Sequence, residues 1–448
     1  MTELRDIAER VMEASKLAGA SDAVAEAIET TVKQVRFSNS QIDAVNSWTE
    51  RHLALFVSVG KKLMSTDLRD LGKAEAGAKE LVGLAKKAPP SKSYGGVAAG
   101  RFKYKRVRAD KRIVDLREPS RYARDAIDAA ERAGASNVGG TFYAYHERIG
   151  ISSSGGALGD DESTSVNLSV RAFSQPEASG HAVCCTPRLS GMDASGTGRR
   201  AGELSVKAKD PISGREGKFD LVLEPLCLGS FIQSTSSMMS ALRVEISTSM
   251  YAKKIGKAVA SKEIRFYDDP TIPSTSRRSF DHEGVPTRKN LLIKDGILKT
   301  YLHNTSTAKR FKTKTTASAG PLIPTPFTFA AQPIPMHPVV EPGDWSADEI
   351  VAETKNGLYL NNTWYTRFQN YSTGEFSTIP RDAILMIRDG EIVGAAKNIR
   401  ISDNMLDFWK RVDALSKSSE EVYWWDEAAP PSTLPIVRAR DMNITRSA

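Results

Sequence analysis

Three ionisable side chains stand in a row at Asp281, His282 and Glu283, inside the segment FDHEGVPT. An imidazole flanked by two carboxylates has the chemistry to ligate a metal or to move a proton near neutral pH. Three consecutive side chains rarely converge on one point, so the plainer expectation is a loop or a hydrogen-bonded turn. The other histidines, His52, His146, His181, His303 and His337, are scattered. None forms an HExxH pattern or an i, i+4 pair that would set two imidazoles on one helix face. His303 reads as a strand-end surface residue. Cys184, Cys185 and Cys227 cannot make a disulfide framework and read as small buried residues. No GxSxG elbow or P-loop occurs, and Gly155-Gly156 neither follows a long apolar strand nor opens a helix that would cradle phosphate. Ser234, Ser236 and Ser237 have no Lys or His close in sequence to activate them.

The elements around the Asp-His-Glu run are better defined. Tyr267–Leu302 begins with turn-forming Asp268-Asp269-Pro270 and Gly284-Val285-Pro286, then continues as LLIKDGILKTYL. Two apolar runs around Asp295-Gly296 predict a hairpin with a type I′ turn. A second Asp-Gly turn lies in ILMIRDGEIVG.

The order DDPT, FD-x-EGVPT, apolar strand, Asp-Gly turn and strand resembles the TldD/PmbA family of peptidase-complex proteins. The resemblance continues through Gly357-Leu358-Tyr359, YSTGEFS at 371–377 and IRISDNM at 399–405. It implies a zinc site in the TldD branch: two histidines five apart on a helix, a Glu after the first, and a Cys near the C-terminus. Such ligands hold zinc tetrahedrally and leave a water of lowered pKa to attack a peptide carbonyl. The equivalent helix here places Gln233, Ser234 and Met238 at those positions, and no cysteine follows Cys227. A neutral amide, a hydroxyl and a thioether do not replace those groups. The resemblance therefore implies a TldE-like member with no catalytic residues and no metal of its own, zinc being expected in a TldD-like partner subunit. Asp281, His282 and Glu283, with Asn361, Asn362, Trp364, Tyr365 and Arg367, are the expected peptide-contacting residues. They would grip an extended chain by adding it to a sheet.

The chain has 448 residues, 40% hydrophobic and 26% charged, enough for two or three cores. No apolar run approaches the roughly 20 residues that span a bilayer, and the N-terminus lacks a secretion-signal pattern, so a cytoplasmic location is the default. The fold class expected is α+β: an N-terminal helix-plus-antiparallel-meander region and a β-rich, barrel-like C-terminal domain. Leu4, Ile7, Ala8, Val11 and Met12 mark an amphipathic helix. Strands are expected over 24–38, 41–49, 52–59 and 62–68, then a helix over 74–87. The same order recurs as a helix over 120–133 and strands over 138–146, 147–153, 163–172 and 181–186. A glycine-weakened helix over 193–209 and the link PISGREG at 211–217 precede the last domain. Domains are accordingly placed at 1–90, 113–210 and 218–448, with a basic connector at 91–112. Within Thr313–Pro338, six prolines argue for a long loop or lid.

The net charge of +8 is concentrated in part at Arg101–Arg112, RFKYKRVRADKR. Its alternation reads first as an exposed edge strand guarded by Lys and Arg. A nucleic-acid-associated regulator using this stretch, and a stand-alone peptidase centred on Asp281, His282 and Glu283, are the alternatives to the partner-subunit reading. Homodimerisation is left open.

Overall fold

The computed structural model describes residues 2–322 and 331–446. Six antiparallel strands form the first sheet: β1 Asp22–Ser38, β2 Gln41–Val59, β3 Lys62–Leu68, β4 Asn137–Ser153, β5 Leu158–Gln175 and β6 Ala178–Thr186. Their order is β3-β2-β1-β4-β5-β6. Two meanders thus meet back to back, with Ala25 opposite Ser152 and Val35 opposite Phe142 in the β1/β4 ladder. The expected breaks near residue 50 and residue 146 do not occur. β2 and β4 are single long strands, because polar residues such as Glu50 and Arg51 stay in register with Thr30 and Glu29.

Each meander is covered by its own helices. Thr2–Leu17 and Ala74–Ala85 pack on β1–β3 through Leu4, Ala8, Val11, Leu81 and Val82. Ser120–Arg132 and Ala194–Lys207 pack on β4–β6 around Ala126, Phe142, Leu168 and Ala201. The glycines that weaken the 194–207 helix in isolation permit this second pair. A Cβ on Gly198 would stand 2.0 Å from Ala126 O, and one on Gly202 2.6 Å from Ala130 O. Backbone proximity thus offsets their unfavourable helix propensity.

The second sheet is ring-like. Strands Gly217–Leu223, Asn356–Asn370, Glu375–Arg388 and Ile399–Asn404 pair in sequence, and Ala428–Arg446 pairs with both the first and the last of them. Further strands continue the sheet beyond this circuit to edges at Ile297–Leu298 and Ile212–Ser213, so it is not a complete barrel. Both Asp-Gly turns adopt the expected geometry: φ is 50° and 74° at Asp295 and Gly296, and 47° and 86° at Asp389 and Gly390. The α+β class is as the sequence implies.

Two local expectations are corrected. Arg101–Asp110 belongs to no sheet; it is a strap whose carbonyl at Lys105 accepts from the side chains of Arg277 and Ser279 instead of a neighbouring strand. His303 is 2% exposed, its ring packed 5.3 Å from Phe311, because the chain turns inward beneath the helix Thr305–Arg310. The link at 211–217 contributes the short strand Ile212–Ser213, parallel to Glu391–Lys397. Of the proline-rich 313–338 segment, residues 323–330 lie outside the described residues, and Ala319 pairs with Pro333 across them.

Candidate functional site

The helix Pro225–Met238 sits inside the ring. Pro225 opens it, where a missing N–H costs nothing. Its inner face is fixed by Phe231 against Phe376 and Phe408, at ring distances of 5.4 and 4.7 Å, and by Trp409 Nε1 donating to Thr235 Oγ1 at 2.7 Å. Cys227 is wholly buried, and burial pushes its thiol pKa up, so it is a packing residue.

The outer face carries Gln233, Ser234 and Ser237, which with the buried Met238 border a cavity of about 270 Å³ closed by Arg367, Phe368 and Glu427. Gln233 Nε2 donates to Asp426 O at 2.8 Å. Burial raises the Glu427 carboxyl although Arg367, 3.8 Å away, opposes the shift. Beside the cavity stands an aromatic wall. Trp364 stacks on Tyr365 at 5.2 Å and meets Trp424 and Trp425 edge-on at 6.1 and 6.4 Å. Arg381 lies over the Trp364 ring at 4.1 Å. Tyr365 and Trp425 have φ of 58° and 45° and are 49% and 63% exposed. Left-handed backbone at a bulky residue costs of order 1–3 kcal/mol; Tyr365 lies in a register shift between Trp364 and Arg367, and Trp425 in the turn between Val412–Trp424 and Ala428–Arg446.

The eight expected peptide-contacting residues occupy two different environments. Trp364, Tyr365 and Arg367 belong to the open wall and cavity. Asn361 and Asn362 are buried and clamp the two sheets together. Asn361 accepts from His181 N at 2.8 Å and donates to His181 O and Glu224 at 2.9 and 2.7 Å, while Asn362 Nδ2 reaches His181 Nδ1 at 3.0 Å. Burial lowers the His181 pKa to about 3, so its ring is neutral.

Asp281, His282 and Glu283 are also buried, at 0%, 7% and 6% exposure. Asp281 accepts the amides of Glu283, Val285 and Ala319 at 2.9–3.1 Å. Glu283 accepts Thr305 N at 2.9 Å and its hydroxyl at 2.5 Å. Burial raises both carboxyls, and at Glu283 the neighbouring Asp281 charge adds to the rise. His282 Nδ1 lies 2.6 Å from Glu26 of β1, and Arg278 spans both, 2.8 Å from His282 Nε2 and 2.9 Å from Glu26. Arg278 only donates, so Nε2 accepts and Nδ1–H points at Glu26. Burial alone would raise the Glu26 pKa, but His282 and Arg278 hold it down at about 2. The run is a hydrogen-bonded turn that locks onto the first sheet.

For zinc, the donor set at Gln233, Ser234 and Met238 does not fit: an amide, a hydroxyl and a thioether supply neither imidazole nor thiolate. Among the described residues no group of three His, Cys, Asp or Glu side chains could hold a metal. Sequence reasoning missed Arg381, Trp424, Trp425 and Glu427. The run WWDE at 424–427, a tryptophan pair beside two acids in a chain with only six tryptophans, was the available signal.

The fold and this helix-centred face define a class. The sequence profile of the PmbA/TldA metallopeptidase C-terminal domain matches residues 216–446, and that of the central domain matches 109–209. The chain belongs to the PmbA/TldD metallopeptidase family. It is 30% identical over 217 residues to a metalloprotease of Methanocaldococcus jannaschii, covering 46% of this chain and 45% of that protein. It is 32% identical over 235 residues to a metalloprotease of Methanothermobacter thermautotrophicus, covering 51% and 49%. The match thus spans about half the length of these relatives. The whole fold is similar to that of TldE from Thermococcus kodakarensis, with a TM-score of 0.86, 18% identity, and coverage of 98% of this chain and 100% of that one. No helix among the described residues is long and apolar enough to cross a membrane.

Proposed function

We propose that this chain is the non-metal subunit of a TldD/TldE-type metallopeptidase complex, which encloses unfolded or extended peptides in the cytosol while a zinc-bearing TldD-like partner cleaves them. The observation that carries this reading is the helix Pro225–Met238: its inner face is fully packed, its outer face offers Gln233 and Ser234 to a cavity, and Met238 borders that cavity from the core. Packing has kept the helix in place with side chains that cannot do metal chemistry. The chain's own contribution is then binding and orientation. Trp364 and Tyr365 supply flat apolar area at low entropic cost, and Arg367 and Glu427 offer a donor and an acceptor to a peptide backbone. Buried anchoring leaves Asp281, His282 and Glu283 to position the loop, which speaks against an independent peptidase centre there.

The test is co-expression with the zinc-bearing relative encoded in the same genome. Complex formation, metal content and cleavage of an unfolded peptide are measured for each chain alone and for both together. Stoichiometric zinc and activity are expected only when the partner is present. Zinc bound stoichiometrically by this chain alone, or failure of the two chains to associate, would overturn the reading.

A further inference from the structure

The basic segment Arg101–Arg112 does not border the cavity beside Gln233. Lys105 and Arg108 border a separate cavity of about 220 Å³ together with Arg188, which follows β6, and Arg277, which precedes the Asp281 turn. Ser163 and Ser274 add their hydroxyls to its lining. None of these residues borders the Gln233 cavity.

Two donor atoms of the lining residues are buried without a hydrogen-bond partner. Arg277 is 9% exposed and Ser274 4%, and neither Arg277 Nη1 nor Ser274 Oγ has a hydrogen-bond partner among the described residues. Arg277 Nη2 donates to Lys105 O at 2.8 Å, whereas the nearest carboxylate, Asp161, stands 3.7 Å from Nη1. Buried donors are rarely left unpaired, so such a pair calls for an acceptor that the chain does not supply. The rim repeats the pattern. From the same segment, Arg106 pairs with Asp160 at 3.0 Å and Arg112 with Asp110 at 2.7 Å. Among the described residues no ion pair engages the side chains of Lys105, Arg108 or Arg188. Four basic residues therefore line the cavity, with one carboxylate, Asp161, 3.7 Å from Arg277.

We infer that this cavity binds a phosphoryl dianion, as free phosphate or as the head of a small phosphate ester. Guanidinium forks match phosphate oxygens in pairs, and the two serine hydroxyls suit the remaining oxygens. A carboxylate would bring one charge and two oxygens to a site with more cations and donors than it could use. The volume lies below the roughly 300–1,000 Å³ of pockets for drug-sized ligands, so the phosphoryl group fills it and any ester tail leaves past Arg108 and Arg188, both exposed.

Inorganic phosphate, O-phosphoserine and acetate are titrated separately into the full chain at low, matched ionic strength, with calorimetry and the melting temperature as readouts. Saturable binding and a raised Tm are expected with the two phosphates and not with acetate. Tighter binding of O-phosphoserine marks an ester as the ligand; equal or weaker binding marks free phosphate. Arg108→Gln combined with Arg188→Gln should weaken phosphate binding about tenfold or more and leave the Tm of the free protein unchanged. Ser274→Ala should raise that Tm, since it removes an unpaired buried hydroxyl, yet weaken phosphate binding. A purely structural serine would not give those opposite signs. The inference is overturned if acetate acts like phosphate, if no saturable binding occurs, or if either variant binds phosphate as the parent does.

Discussion

The turn at Asp281–Glu283 and the outer face of the helix Pro225–Met238 invert what their residue types suggest. The first collects the side chains most associated with catalysis and buries them among partners: Glu26, Arg278, Thr305 and three backbone amides. The second carries an amide and hydroxyls, and opens onto a cavity beside exposed aromatic rings. Charge paired inside a protein specifies geometry; neutral side chains that border an opening leave room for something else. The loop is therefore part of the architecture, and on the proposed function recognition falls to the helix face with its aromatic wall.

The strongest way to break this contrast is to remove Glu26. Glu26→Ala leaves Arg278 buried without its carboxylate and should cost about 3–5 kcal/mol of stability, read by denaturant unfolding. A loss below about 1 kcal/mol would mean that the cluster does not anchor the loop. A companion measurement follows stability against pH. Because Glu26 is held at about 2 against an ordinary 4.5, its contribution is fully present above pH 4.5 and disappears as pH falls toward 2. Glu26→Gln should flatten that acid limb. Asp281 and Glu283 have the opposite sign, since raised carboxyl pKa values favour the protonated fold, and their contribution fades as pH rises through the folded values.

Next in size is the clamp between the sheets. Asn361→Ala strands the backbone groups of His181 and leaves Glu224 to Arg200 alone on that side, a cost of about 1–3 kcal/mol that should appear as a lower Tm. Smallest on stability, and sharpest for the comparison, is the wall. Trp425→Ala, at a residue 63% exposed, should change stability by no more than about 0.5 kcal/mol. On the proposed function it should still weaken peptide cleavage by the assembled complex, and unchanged cleavage would remove the wall from the peptide-contacting surface.

Much of the fold was legible in the chain. Alternation and 3.6-residue periodicity located the strands and most helices, and the two Asp-Gly pairs placed both turns, since these signals act between residues a few positions apart. The candidate site was legible only in part. Gln233, Ser234 and Ser237 share a face by helical spacing, whereas Arg381, Trp424, Trp425 and Glu427 come from distant strands and carry no local signal beyond the tryptophan pair. The glycines at 198 and 202 misled for the same reason. Their effect on the isolated helix is local, but the close approach to Ala126 and Ala130 that they permit is not.

The sequence by itself determined the family, the turns and the kinds of donor available on the helix, because these depend on which residues occur and on short-range spacing. Only the tertiary structure decided that Asp281, His282 and Glu283 are sealed against β1 while Trp364 and Tyr365 stay open. Burial and pairing depend on which side chains the two sheets bring together across more than 250 positions of chain, as between Glu26 and His282. The same residues become an anchor or a contact surface according to that arrangement alone.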